Sequence, residues 1–216
     1  MKRPNFRTQA FSLMELLAVV TLATIMLTLA GTAFTNFGRS TALATGGNQI
    51  SALLDLARQN SITKGAMTAV AVSTDPSDEE KYREFILLEA NTRNDGAALT
   101  ASDWRPISKW EMLPKGITAD KGCTFTDSST TALVPSFPSV LPNRRGVAVS
   151  SFRYVIFLPD GRLQGEAPPG IQLVEGWWPE GANSPTYTRP GSGGEPANYY
   201  RISLLSKTGR QKIDRP

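Results

Sequence analysis

The sequence predicts an α+β protein: a long N-terminal α-helix, membrane-spanning in its first half, packed on a C-terminal antiparallel β-sheet head. Three observations carry this. Residues 16–38 form an uncharged run of 23 residues. Ile50, Leu53, Leu54 and Ala57 then repeat at i, i+3, i+4 and i+7, the spacing of one buried helix face. From Ala66 onward the apolar residues alternate, the period of half-buried strands.

The elements follow in chain order. Residues 1–10 carry Lys2, Arg3 and Arg7 and no acid. Residues 11–38 form a transmembrane helix, since about 20 apolar residues cross a bilayer core. Basic residues before the run put the N-terminus in the cytoplasm and the rest of the chain outside. Glu15 is the only charge from Phe11 to Gly38. A carboxylate costs about 2.5–3.5 kcal/mol at the centre of a spanning helix and less near its end, so an acid here implies a function and a partner. A cleaved secretory signal peptide, cut near Ala42 or Ala44, is the competing reading. Its apolar region runs to only about 7–15 residues, and Glu15 would serve nothing in it.

No proline occurs between Phe11 and Asp75. Residues 39–65 therefore continue the helix as an amphipathic segment to about Lys64, with Gly65 as the stop. Gly31, Gly38, Gly46 and Gly47 each cost about 1 kcal/mol relative to Ala, and predict a bend or local melting. Residues 66–216 are the β-rich head. Strands are expected at Ala66–Ser73, Glu84–Ala90, Ile107–Met112, Phe152–Leu158, Ile171–Glu175, Tyr199–Ser206 and Arg210–Asp214. Pro159-Asp160-Gly161 and Thr208-Gly209 read as tight turns. Residues 124–146 and 176–198, rich in Pro, Gly and Ser, read as irregular surface inserts.

The inventory excludes much chemistry. There is no histidine and one cysteine, Cys123. Ser-His-Asp and Cys-His catalysis, His-ligated metals, internal disulfides and multi-cysteine metal sites all fall away. Cys123 reads as a packed or partly exposed thiol. The acidic stretch from Asp75 to Glu80 reads as a solvated loop or helix cap, without the spacing of a calcium loop. Trp177-Trp178 reads either as a partner or ligand surface or as one ring over the core and one over the loop. No enzyme activity and no cofactor are expected.

The stretch Ala10-Phe11-Ser12-Leu13-Met14-Glu15-Leu16-Leu17 resembles the cleavage and methylation signal of type IV prepilins and pseudopilins. The resemblance implies cleavage by a prepilin peptidase between Ala10 and Phe11, then N-methylation of Phe11. The family usually has Gly before the cut, where this chain has Ala10. The family's acid falls on Glu15, whose implied partner is the free amine of a neighbouring subunit. Leu54 to Ile62, Phe152 to Arg162, and Tyr200 to Arg210 resemble the GspH/FimT group of minor pseudopilins and pilins. The resemblance makes residues 1–10 a cytoplasmic leader and residues 11–38 a fibre-core helix after assembly.

The resemblance implies a minor subunit of a type II secretion or type IV pilus-like filament. Its partners would be other pilins or pseudopilins, the prepilin peptidase and the inner membrane. It would be single-pass there, with its head in the periplasm. Lys207, Arg210, Lys212 and Arg215 cluster at the C-terminus, and Gly209-Arg210-Gln211-Lys212 resembles the basic C-terminal turn of DNA-uptake pilins, so DNA is an alternative partner; the other reading of these four is a solvated strand end. Loss of the leader would leave 20 basic against 19 acidic residues over 206, so the global charge gives DNA little support. A secreted or singly anchored β-rich binding domain is the third reading.

Overall fold

The computed structural model describes residues 12–76, 78, 80–91, 100–127, 137–138, 140–165 and 169–215, with the side chains of 29–40, 101 and 126–127 outside that set. α1 runs from Leu13 to Lys64. Its end lies where the sequence places it: Gly65 takes the left-handed φ of +62° that stops a helix. The chain divides into two units, 1–40 and 41–216, with α1 contributing to both.

The second unit holds the β-structure. Its strands are β1 (Thr68–Ser73), β2 (Glu84–Ala90), β3 (Trp104–Pro106), β4 (Glu111–Met112), β5 (Ile117–Ala119), β6 (Thr126–Asp127), β7 (Leu141–Pro142), β8 (Ala148–Val149), β9 (Phe152–Phe157), β10 (Gly170–Trp177), β11 (Thr186–Tyr187), β12 (Tyr199–Leu204) and β13 (Gln211–Asp214). They form two larger antiparallel sheets. The first has the order β3-β2-β1-β9-β6, with β4 also on β2. The second has the order β11-β10-β12-β13, with β5 also on β10. β7 and β8 make a separate hairpin.

One core joins the second half of α1 to both sheets. Ile50, Leu53, Leu54 and Ala57 are buried with Val70, Phe85 and Phe157 of the first sheet and Leu173, Tyr200 and Ile202 of the second. The two glycines expected to melt the helix serve this packing instead. A Cβ on Gly47 would lie 2.3 Å from the Tyr200 ring, and one on Gly46 would crowd Leu113 and Pro114 at 3.3 Å. Their absent side chains let strand and loop approach the helix backbone.

The first sheet is covered on its other face too. Ala69, Ala71, Ile86, Leu88 and Ile156 pack there under Trp104, Leu141 and Val149. Residues from the middle of the chain, which carried no readable pattern, supply that cover. Burial on both faces explains why β1 and β2 are buried at every position rather than at alternate ones.

The strand expected at Ile107–Met112 breaks up. Its place is taken by β3, ending at Pro106, and β4, starting at Glu111. Between them Ser108 Oγ accepts the Leu87 N–H at 3.0 Å, so a side chain replaces one ladder acceptor. The insert 176–198 is not a free surface loop. β11 pairs with the end of β10, and Trp178 stacks on Tyr82 with ring centres 4.1 Å apart.

Candidate functional site

The N-terminal end of α1 is the first candidate. Ser12 caps it: Glu15 N–H donates to Ser12 Oγ at 3.2 Å, and Ser12 N–H donates to the Glu15 carboxylate at 3.4 Å. This reciprocal pair is a capping box, and it gives Glu15 a local role that the sequence reading did not assign. The signal was present as Ser-x-x-Glu before an apolar run. Every side chain from Ser12 to Thr28 is exposed within the chain. Leu13 is 85% and Leu27 71% exposed. Burying the apolar side chains from Leu13 to Leu27, at about 1.5–3 kcal/mol for a full large side chain, would gain on the order of 10 kcal/mol or more.

The polar members of this segment are already satisfied. Thr21 Oγ1 donates to Ala18 O at 2.9 Å, Thr24 Oγ1 to Val20 O at 2.6 Å and Thr28 Oγ1 to Ile25 O at 2.8 Å. A threonine bonded to its own helix backbone can enter an apolar setting without leaving a bare hydroxyl.

Among the described residues no helix is long and apolar enough to cross a membrane. Of the uncharged run, the side chains of 29–38 lie outside the described set, as do Ala10 and Phe11 entirely, so the expected spanning segment falls partly on residues that are not described.

The C-terminal hairpin is the second candidate. Its turn forms as expected: Gly209 has φ +63°, and Leu205 N–H donates to Arg210 O at 2.9 Å. The four basic residues do not share one face. Arg215 stacks on Tyr200, 4.3 Å from the ring centre, and donates to its hydroxyl at 2.9 Å. Lys212 lies one strand position out of phase with Arg215 and Gln211 and pairs with Asp214 at 3.6 Å. Lys207 and Arg210 remain exposed at the turn.

The turn instead closes on the helix and on the other predicted turn. Arg58 Nε donates to Thr208 O at 2.8 Å. Leu163 N–H donates to Ser206 O at 2.9 Å. A Cβ on Gly209 would lie 2.2 Å from Gly161 O. The two glycine turns that resemble family motifs thus interlock beside Arg58.

The remaining predicted residues are structural. Asp75 and Asp78 are buried rather than solvated. Asp75 accepts from Ser150 N–H at 3.1 Å and Asp78 from Ser73 Oγ at 2.8 Å, so they tie a loop to the sheet. Burial pushes the Cys123 thiol up to about 11, which keeps it protonated and unreactive at neutral pH. Trp177 is exposed while Trp178 is packed, its Nε1 donating to Ala119 O at 2.9 Å. Among the described residues no cluster of three or more His, Cys, Asp or Glu could hold a metal.

A third feature had no sequence signal. A cleft of about 550 Å³ opens on the outer cover of the first sheet. Ile86, Trp104 and Pro106 line one side, and Leu141 and Pro142 the other. Trp110 Nε1 donates to Pro142 O at 2.5 Å and ties the sides together. Trp104 is 6% exposed, and its Nε1 donates to no acceptor among the described residues. Such an orphan donor costs about 1–3 kcal/mol.

No family model matches the chain, and no curated protein matches it. Among solved structures it is similar to the minor pseudopilin EpsH from the Type 2 Secretion System of Vibrio cholerae. One such structure has 13% identity over 81% of this chain and 95% of that chain, with a TM-score of 0.40. Another EpsH structure has 12% identity over 82% and 96%, with a TM-score of 0.39. The type IV minor pilin FimU of Pseudomonas aeruginosa has 11% identity over 83% and 96%, with a TM-score of 0.45. At such identity no residue role carries across, and the side chains of this chain must carry any functional reading.

Proposed function

We propose that the chain is a minor pseudopilin or pilin subunit of a type II secretion or type IV pilus-like filament. In this reading a prepilin peptidase cuts between Ala10 and Phe11 and methylates Phe11. The product waits in the inner membrane, single-pass, with its head in the periplasm, and then assembles through α1. The supporting observation is the stretch Leu13–Leu27, an uncovered apolar helix surface with one acid, Glu15, at its start. Lipid or neighbouring helices are the surroundings that suit it, since packing between helices replaces packing against lipid. The sequence motif around Ala10 and Phe11 supplies the processing step.

The DNA-uptake reading draws less support, because Arg215 and Lys212 are engaged within the chain and only Lys207 and Arg210 stay together.

Glu15 has two roles to separate, the cap and the ion pair with a neighbour's amine. Glu15→Gln keeps an acceptor for the cap and removes the charge. Expected is normal membrane insertion with a loss of co-assembly of about tenfold or more, read by pull-down of the filament's other subunits. Co-assembly of Glu15→Gln at the parent level would refute the ion-pair role.

A further inference from the structure

We propose that the cleft between β3 and β7 is a docking groove for an extended acidic peptide segment of a partner protein, anchored by one aromatic side chain. This goes beyond the filament reading and does not depend on it, since none of the residues that line the cleft carries that reading.

The chemistry of the walls selects the occupant. Indoles and proline rings supply flat apolar faces against which an aromatic side chain packs. The volume, about 550 Å³, is that of a small-ligand site and holds one such side chain with adjoining backbone. Pro106, Pro138 and Pro142 fix the local backbone, so little ordering is lost on binding.

Charge then sets the polarity of the partner. Lys109 and Arg144 line the cleft, and no carboxylate does among the described lining residues. Among the described residues neither side chain forms an ion pair, and Arg144 Nη1 lies 3.9 Å from Met112 Sδ. Glu84 is buried, accepts the Arg144 backbone N–H at 3.5 Å and feels the Arg144 charge, but it does not line the cleft. Two exposed cations beside an apolar trough favour an occupant with acids next to its apolar anchor and reject a basic one. Val140, 51% exposed, extends the apolar surface past the trough, as a segment longer than one residue requires. An occupant carbonyl against the Trp104 wall would also give Nε1 the acceptor it lacks.

The test uses the purified full-length chain and three blocked pentapeptides, read by calorimetry and indole fluorescence. The first is Glu-Asp-Phe-Glu-Leu. The second carries Gln and Asn for the acids, and the third carries Lys. Expected is saturable binding of the first, weaker by about tenfold or more for the second and undetectable for the third. Lys109→Gln with Arg144→Gln should lower affinity for the first peptide by about tenfold, and Val140→Glu should abolish binding. All three positions are exposed, so the melting curve should not move. Equal binding of acidic and neutral peptides, or undiminished binding to Val140→Glu, would overturn the proposal. Phenylacetate binding as tightly as the peptide would overturn it too, by making the cleft a small-molecule site.

Discussion

Leu16, Leu17, Val20 and Leu22 in the first unit and Leu43, Ile50, Leu53 and Leu54 in the second belong to one helix and have opposite exposure. The second set is buried in the head's core. The first set is exposed. Composition does not separate the halves, because both are rich in Leu and Ala. Charge pattern does. Asp55, Arg58 and Gln59 give the second half a polar side, whereas Glu15 is alone in the first. A helix apolar all round needs an apolar medium, and one apolar on a single face needs only a core. The first half therefore looks outward for its partners, and the second completes the fold.

Truncation should break this symmetry most visibly. Leu54→Ala opens a cavity under both sheets and should cost about 2–5 kcal/mol of head stability. Leu22→Ala removes the same atoms and should move it by less than about 0.5 kcal/mol. Urea unfolding of the full chain, followed by near-ultraviolet circular dichroism, compares the two; equal losses would remove the distinction drawn above.

The glycines at the edge of the second half give a smaller contrast. Gly65 and Gly209 have φ of +62° and +63°. A Cβ meets nothing within 4 Å at Gly65 but backbone oxygen at Gly209. Gly65→Ala should cost about 1 kcal/mol, and Gly209→Ala about 2–4 kcal/mol because the interlocked turns must part. The same unfolding assay reads both, and equal costs would mean that the turn junction contributes nothing.

The smallest effect is electrostatic. Burial pushes the Glu89 carboxyl up, but hydrogen bonds and charge from Lys64 and Arg105 outweigh it and hold it below the ordinary glutamate range. A depressed carboxyl stabilises the fold above its unfolded value, and that stability is lost as pH falls through the folded one. The parent should thus lose this contribution below about pH 4.5, while Glu89→Gln lacks it throughout. The difference at pH 7 should stay under about 1 kcal/mol because Lys64 is half exposed. Glu84 has the opposite sign, since its burial raises the carboxyl and acid relieves it. A gap between Glu89→Gln and the parent that persists unchanged at low pH would contradict the assignment.

The long elements were legible because their signals are local. The absence of proline and the stop at Gly65 fix α1, and the alternating or continuous apolar runs fix β1, β2, β9, β10, β12 and β13. The two- and three-residue strands were not legible: Trp104–Pro106 and Ile117–Ala119 are too short to show a period, and long-range pairing makes them strands. For the same reason the division of the strands into two sheets was not legible. Glu15 could be singled out because an acid in an apolar run is costly, and Ser12 was missed although its spacing to Glu15 was visible. The basic quartet is open in the sequence between a DNA-binding turn and a solvated strand end, and strand alternation, which puts Lys212 and Arg215 out of phase, weighs against a single patch. The cleft left no trace in the sequence because its two sides come from segments without periodicity.

The account turns on the first half of α1 being retained in the mature protein as an assembly element. Intact-mass and N-terminal peptide mass spectrometry of the membrane-extracted protein tests that directly. A chain beginning at Phe11 with one added methyl group is the expected result. A chain beginning near Thr45 would mean that the apolar segment is discarded as a signal peptide, and would contradict the filament reading outright.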